Sequence, residues 1–147
     1  MVNDEKVPLA REFINRLHKI DDPAAIVVTI HLFCENALNQ LMKQKKKTPD
    51  KYITEQSAFL VKLDLCYNMG LLNEPMFNNL VKLNTLRNKC AHKVDVDFDK
   101  IDHNYWMGNV EDKIGSNEKS FKDNLVLIGV VTYGILHNHL AGIGIKL

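Results

Sequence analysis

The chain has 147 residues, 46% hydrophobic and 25% charged, the composition of one soluble domain able to bury its own core. Nineteen Lys and Arg against eighteen Asp and Glu leave a formal charge of +1, which excludes a surface that wraps nucleic acid throughout and leaves room for a local basic site. The longest apolar stretch, Leu125 to Leu136, is short for a membrane span and carries Gly129, Tyr133 and Gly134, and the Met1–Lys6 opening lacks a leader's apolar run, so a cytoplasmic protein with no membrane contact is expected.

Val7, Leu9 (or Ala10), Phe13, Ile14, Leu17 and Ile20 recur at helical spacing and predict a first helix over about 5–20. Asp22 before Pro23 reads as an N-cap with proline just inside the next helix. That helix runs to about Lys46, and its first half is apolar nearly all round, which marks it as the central helix. The β-branched Val27, Val28, Thr29 and Ile30 would also suit a strand; the length and the later Leu38, Leu41, Met42 spacing favour helix. After the Thr48-Pro49-Asp50 break, Thr54 is the expected cap of a third helix burying Phe59, Leu60, Leu63, Cys66, Tyr67 and Met69, with Gly70 just past its end. Asn73-Glu74-Pro75 opens a fourth, carrying Met76 (or Phe77), Leu80, Leu83, Leu86 and Cys90.

From Val94 to Lys119 the pattern gives way to Asp, Asn and Gly, an irregular excursion with a short helix near Asp102 to Met107. Ser120 then caps a last helix through Leu125, Ile128, Val131, Ile135 and Leu136. The sum over 1–147 is a single all-α domain, an up-and-down helical bundle, with Ala25, Val28, Leu32, Leu63, Leu83, Leu86 and Leu125 in its core.

Chemistry concentrates in Leu86-Arg87-Asn88-Lys89-Cys90-Ala91-His92, at the end of an amphipathic helix and around one of only three arginines. This stretch resembles the HEPN superfamily, whose mark is an Arg, four to six residues, and a His, with a polar residue often following the Arg. Two other stretches add to the likeness: Ala24-Ala25-Ile26-Val27-Val28 leading to Cys34-Glu35-Asn36-Ala37-Leu38, and Lys62-Leu63-Asp64-Leu65-Cys66-Tyr67-Asn68-Met69-Gly70-Leu71-Leu72. They are most similar to mannitol-operon-repressor-like proteins, and the resemblance covers about residues 10–95.

Residues five apart lie about 140° apart around a helix, so Arg87 and His92 do not stack, whereas Asn88 and His92 share a face. Either the helix loosens near Cys90 or the two groups meet through a second subunit. The resemblance implies the second course: a homodimer whose two Arg…His pairs line one cleft. It further implies a metal-independent endoribonuclease of defence or toxin type, leaving 2′,3′-cyclic phosphate. One His92 would take the 2′-OH proton, another would protonate the leaving oxygen, and Arg87 would clamp the phosphorane. Asn88 would orient the imidazole or the phosphate, and Glu35 would brace Arg87. The toxin pattern places a Tyr two residues after the His; Val94 stands there, which counts against a nucleotidyltransferase antitoxin as partner. A non-catalytic regulatory or protein-binding module of mannitol-operon-repressor-like type is the alternative. So is a plain structural role, in which the Arg pairs locally and the His favours the helix dipole.

Lys43, Lys45, Lys46 and Lys47, with Lys89, are weaker candidates for RNA contact, and the run also fits a solvated helix end. No cofactor or metal is expected. His137 and His139 are about 200° apart on a helix, and Cys90 with His92 is no zinc spacing. Asp95, Asp97 and Asp99 start like a calcium loop, but Phe98 and Trp106 stand where the loop requires Gly and Glu. No basic recognition helix for reading DNA is visible. Cys34, Cys66 and Cys90, odd in number, read as free thiols in a reducing compartment.

Overall fold

A computed structural model describes residues 8–48, 52–92 and 121–147, and among them all regular structure is helical. The expected excursion of 94–119, its short helix, the Asp95–Asp99 run and the Ser120 cap lie outside the described residues. The helices are α1 (Leu9–Lys19), α2 (Pro23–Lys45), α3 (Phe59–Asn68), α4 (Glu74–His92) and α5 (Phe121–Gly142). They form an all-α bundle in which α2 packs against each of the other four.

Several boundaries follow from local chemistry. Both carboxylate oxygens of Asp22 accept from the first free amides of α2, those of Ala24 and Ala25, with Pro23 contributing no donor that needs one. Gly70 adopts φ +73°, and the amides of Gly70 and Leu71 return to the carbonyls of Tyr67 and Cys66. That is a Schellman close to α3, with glycine at the left-handed position. Asn73 Oδ1 accepts from Met76 N at 2.9 Å and opens α4. Thr54 does not cap α3, which starts at Phe59 without a side-chain cap. Thr54 instead closes a short turn with Ser57, whose hydroxyl accepts from Thr54 N at 3.0 Å.

The core seam between α1, α2 and α5 is apolar. Phe13, Phe33 and Tyr133 meet with ring centroids 4.6–5.7 Å apart, and Leu17, Ile30 and Ile128 are buried beside them. Gly129 sets how closely α5 approaches α2: a Cβ there would stand 2.5 Å from Ile30 Cδ1 and 2.6 Å from its Cγ1. Leu63, Leu83, Leu86 and Leu125 are buried as expected, and Ala25 is half-buried. Val28 and Leu32 are not core residues, being 44% and 56% exposed. The apolar first half of α2 offers no single stripe, so its partners choose the face, and they cover Ile26, Val27, Ile30, Phe33 and Cys34. For the same reason Ile14, Leu60 and Met69 fall outside the contacts their spacing suggested.

Both α2 and the Leu125–Gly142 part of α5 are long and apolar enough to cross a membrane by length and composition, a correction to the shorter stretch read from Leu125 to Leu136. Gly129 and Gly134 do not interrupt α5. The two helices pack against each other in the bundle.

Two outcomes follow from this seam. Gly129→Ala should lower stability by about 1–3 kcal/mol through overpacking, although alanine favours helix by about 1 kcal/mol. In an Ile30→Ala background the same change should be neutral or stabilising, as denaturant unfolding of the four proteins would show. The Tyr133 hydroxyl is buried with no hydrogen-bond partner among the described residues, and burial pushes its pKa up to about 12. Tyr133→Phe should therefore hold or raise the unfolding midpoint, by up to about 2 kcal/mol.

Candidate functional site

α4 runs unbroken from Glu74 to His92, so the helix does not loosen near Cys90. Arg87 is half-buried, and its Nη1 donates to Asn88 Oδ1 at 3.1 Å. Lys89 and His92 are exposed on the last turns, and Cys90 is half-buried. The end of α4 thus offers a restrained guanidinium and an accessible imidazole on one straight helix. About 140° of helix rotation separates the two positions.

Glu35 has a different partner from the one expected. Its Oε1 lies 3.2 Å from Nζ of Lys62, which rises from α3 with no solvent exposure at all. A buried ammonium without a counter-charge is costly, and Glu35 is the carboxylate on the flank of α2 that α3 covers. Lys62 completes its bonds with Asn39 Oδ1 at 2.9 Å and the Glu55 carbonyl at 3.1 Å. One turn before Glu35, His31 is buried against the Phe59 ring at a centroid distance of 4.2 Å. Its Nε2 bonds Asn84 Oδ1 at 3.0 Å, and its Nδ1 stands 4.0 Å from Glu35 Oε2.

A polar chain therefore crosses the α2–α3–α4 seam through Lys62, Glu35, His31 and Asn84. Asn84 lies one turn before Arg87 on the same face of α4. Of this chain only Glu35 stands out in the sequence by its likeness. His31, Lys62 and Asn84 were legible in one way only, as polar residues in register with apolar stripes: Lys62 beside Phe59, Leu63 and Cys66, and Asn84 four after Leu80.

Burial lowers the His31 pKa from 6.5, assisted by the charges of Arg87 and Lys62 and opposed by the Asn84 bond and the charge of Glu35. Burial also raises the thiols of Cys34 and Cys66 to about 12, and all three cysteines are free.

The lysine run divides. Lys43, Lys45 and Lys47 are exposed, while Lys46 is half-buried and donates to the Ile53 carbonyl, tying the segment before α3 to the end of α2. His139 Nε2 donates to the Leu71 carbonyl at 2.7 Å, and His137 meets the Tyr133 ring edge-on, so the two histidines serve separate contacts. Among the described residues no three His, Cys, Asp or Glu side chains converge as metal ligands. An open groove of about 430 Å³ runs along the outside of α3 between Ile53, Leu60, Val61, Asp64, Leu65 and Asn68, none of them a residue singled out by the sequence for chemistry. No family model, curated protein or solved structure matches this chain.

The depressed His31 pKa has a consequence for stability. Below pH 6.5 the unfolded chain takes up a proton at His31 that the folded chain resists, so folding weakens as pH falls from 6.5 through the lower folded-state value. Thermal unfolding between about pH 7.5 and about pH 5 should show the wild type losing more of its midpoint than His31→Gln, which carries no titrating group at this position.

Proposed function

We propose that this chain is a HEPN-like RNA-targeting domain and that the end of α4 is a metal-independent endoribonuclease site of defence or toxin type. The observation that carries the reading is the pairing of roles on one helix end. Arg87 is half-buried and held by Asn88, as suits a fixed phosphate clamp, and His92 is exposed on the last turn, as suits a proton carrier. Because α4 stays helical through His92, one copy does not stack the two groups, and the proposal completes the site with a second protomer. Across that homodimer, one His92 removes the proton of the ribose 2′-OH as the oxygen attacks phosphorus. The P–O5′ bond breaks, the other His92 protonates the leaving 5′-oxygen, and a 2′,3′-cyclic phosphate and a 5′-hydroxyl result. Exposed Lys89 adds a positive charge on the same end, and Lys43, Lys45 and Lys47 are further candidates for backbone contact. The proposal places the protein in the cytoplasm, where three free cysteines stay reduced.

A second reading, a non-catalytic regulatory or protein-binding module, is favoured by Val28 and Leu32, apolar side chains one turn apart on α2 that are exposed. Incubation of the protein with mixed RNA in EDTA separates the two. On the ribonuclease reading, cleavage persists without metal and leaves 2′,3′-cyclic ends. Arg87→Ala and His92→Ala should each lower the rate at least about a hundredfold while the circular dichroism spectrum is retained. Intact RNA after incubation with folded wild type, or cleavage that His92→Ala leaves unchanged, would overturn the enzyme and leave the binding module.

A further inference from the structure

We infer that His31 is a positioning residue for Arg87: acting through Asn84, it sets where the guanidinium stands at the end of α4 and links that position to the Lys62–Glu35 pair. The functional weight of this inference rests on the proposed reading of the α4 end as an RNA site; its structural content does not.

Asn84, Arg87 and Asn88 follow one another along one face of α4, from buried to half-buried, and Asn88 holds Arg87 from the outer side. The inner end of this row is fixed by α2. Asn84 Oδ1 can only accept, so the His31 Nε2 that it meets at 3.0 Å carries the proton. Neutral His31 then turns a bare Nδ1 toward Glu35 Oε2 at 4.0 Å. The ring cannot swing away from this arrangement, because it lies on Phe59 at 4.2 Å and is buried. Glu35 is itself held by Lys62. Each member of the chain therefore has its orientation set by the next, across three helices.

Arg87 takes part in the same balance. The charged groups acting on His31 are Glu35 from its own helix, Lys62 from α3 and Arg87 from α4, and Arg87 and Lys62 both resist its protonation. A second proton would go to Nδ1, the nitrogen facing Glu35. It would draw that carboxylate from Lys62 and set an imidazolium against the guanidinium. The neutral form of His31 is thus the one compatible with the Arg87 position described above, and the proton is a direct handle on that position.

The test follows the His31 imidazole and the Arg87 Nε–Hε signal by NMR on the intact chain, from about pH 7.5 to about pH 5. Arg87 is one of three arginines, so Arg87→Lys assigns its signal. The Arg87 signal is expected to shift with the midpoint of the His31 titration, below 6.5, and to stay still over that range in His31→Gln. An Arg87 signal that stays still while wild-type His31 titrates overturns the inference. A second arm measures binding of a single-stranded RNA of about ten nucleotides in EDTA. His31→Leu, which cannot donate to Asn84, should weaken binding at least about tenfold, and His31→Gln, which restores a donor, should recover most of it. Wild-type binding by both folded variants overturns the inference as well. If wild type binds no RNA, the RNA reading fails, and the linked titration still decides the role of His31. If His31→Leu does not fold, the wild-type and His31→Gln signals decide it.

Discussion

Lys62 imposes the constraint on which the polar half of this bundle depends. Its ammonium has no solvent exposure, so every bond it makes must come from the protein. Two come from α2, through Glu35 and Asn39, which are one turn apart and face the same way. The third is the Glu55 carbonyl in the segment leading into α3. One nitrogen atom therefore fixes the rotation of α3, its register along α2 and the course of the chain that joins them. Lys46 acts on the same segment from the other side through the Ile53 carbonyl. Removing one partner of a buried pair costs about 3–5 kcal/mol, whereas replacing the whole pair with apolar groups is often neutral. The interaction is better understood as setting geometry than as supplying net stability.

The two flanks of α2 divide these tasks. Toward α1 and α5 the seam is made of Phe13, Leu17, Ile30, Phe33 and Tyr133, and Gly129 lets the helices approach until Ile30 fills the space of an absent side chain. Apolar burial is non-directional and supplies most of the driving force, but it tolerates sliding and repacking. Toward α3 and α4 the seam contains His31, Glu35, Lys62 and Asn84 among its apolar contacts. Hydrogen bonds there are satisfied at one register only, since a displaced polar group would be left buried and unpaired. The end of α4 belongs to the flank with the tighter geometric specification.

The boundaries of the helices were legible in the sequence wherever capping chemistry is local. Asp22 with Pro23, Asn73 before Pro75, and Gly70 each act within a few residues and need no tertiary context. Thr54 misleads because a threonine serves a turn as readily as a helix, and here Ser57 is three residues away to accept its amide. The buried face of α2 was not legible: with apolar residues all round, Val28 and Leu32 look as buriable as Val27 and Ile30, and only the neighbours decide. The end of α4 was found by its residue types, but the chain behind it was not. Lys62 and His31 carry the appearance of surface residues, and their burial depends on partners 27 and 53 positions away, Glu35 and Asn84, counted from the numbering.

Under the proposed reading, the half-burial of Arg87 and the exposure of His92 have separate reasons. A group that stabilises developing charge is most effective when its position is fixed before the substrate arrives, because no reorganisation is then needed during the reaction. Arg87 is fixed in this way by Asn88, at the end of the row that His31 and Asn84 begin. A proton carrier must instead reach the reacting oxygen and exchange its proton with solvent between turnovers, and a position on the last exposed turn permits both. Since the straight helix turns these two groups to different sides, clamp and carrier act on one phosphate only where two helix ends converge. A twofold axis beside the end of α4 is the simplest arrangement that achieves this, because a single surface then supplies both clamps and both imidazoles.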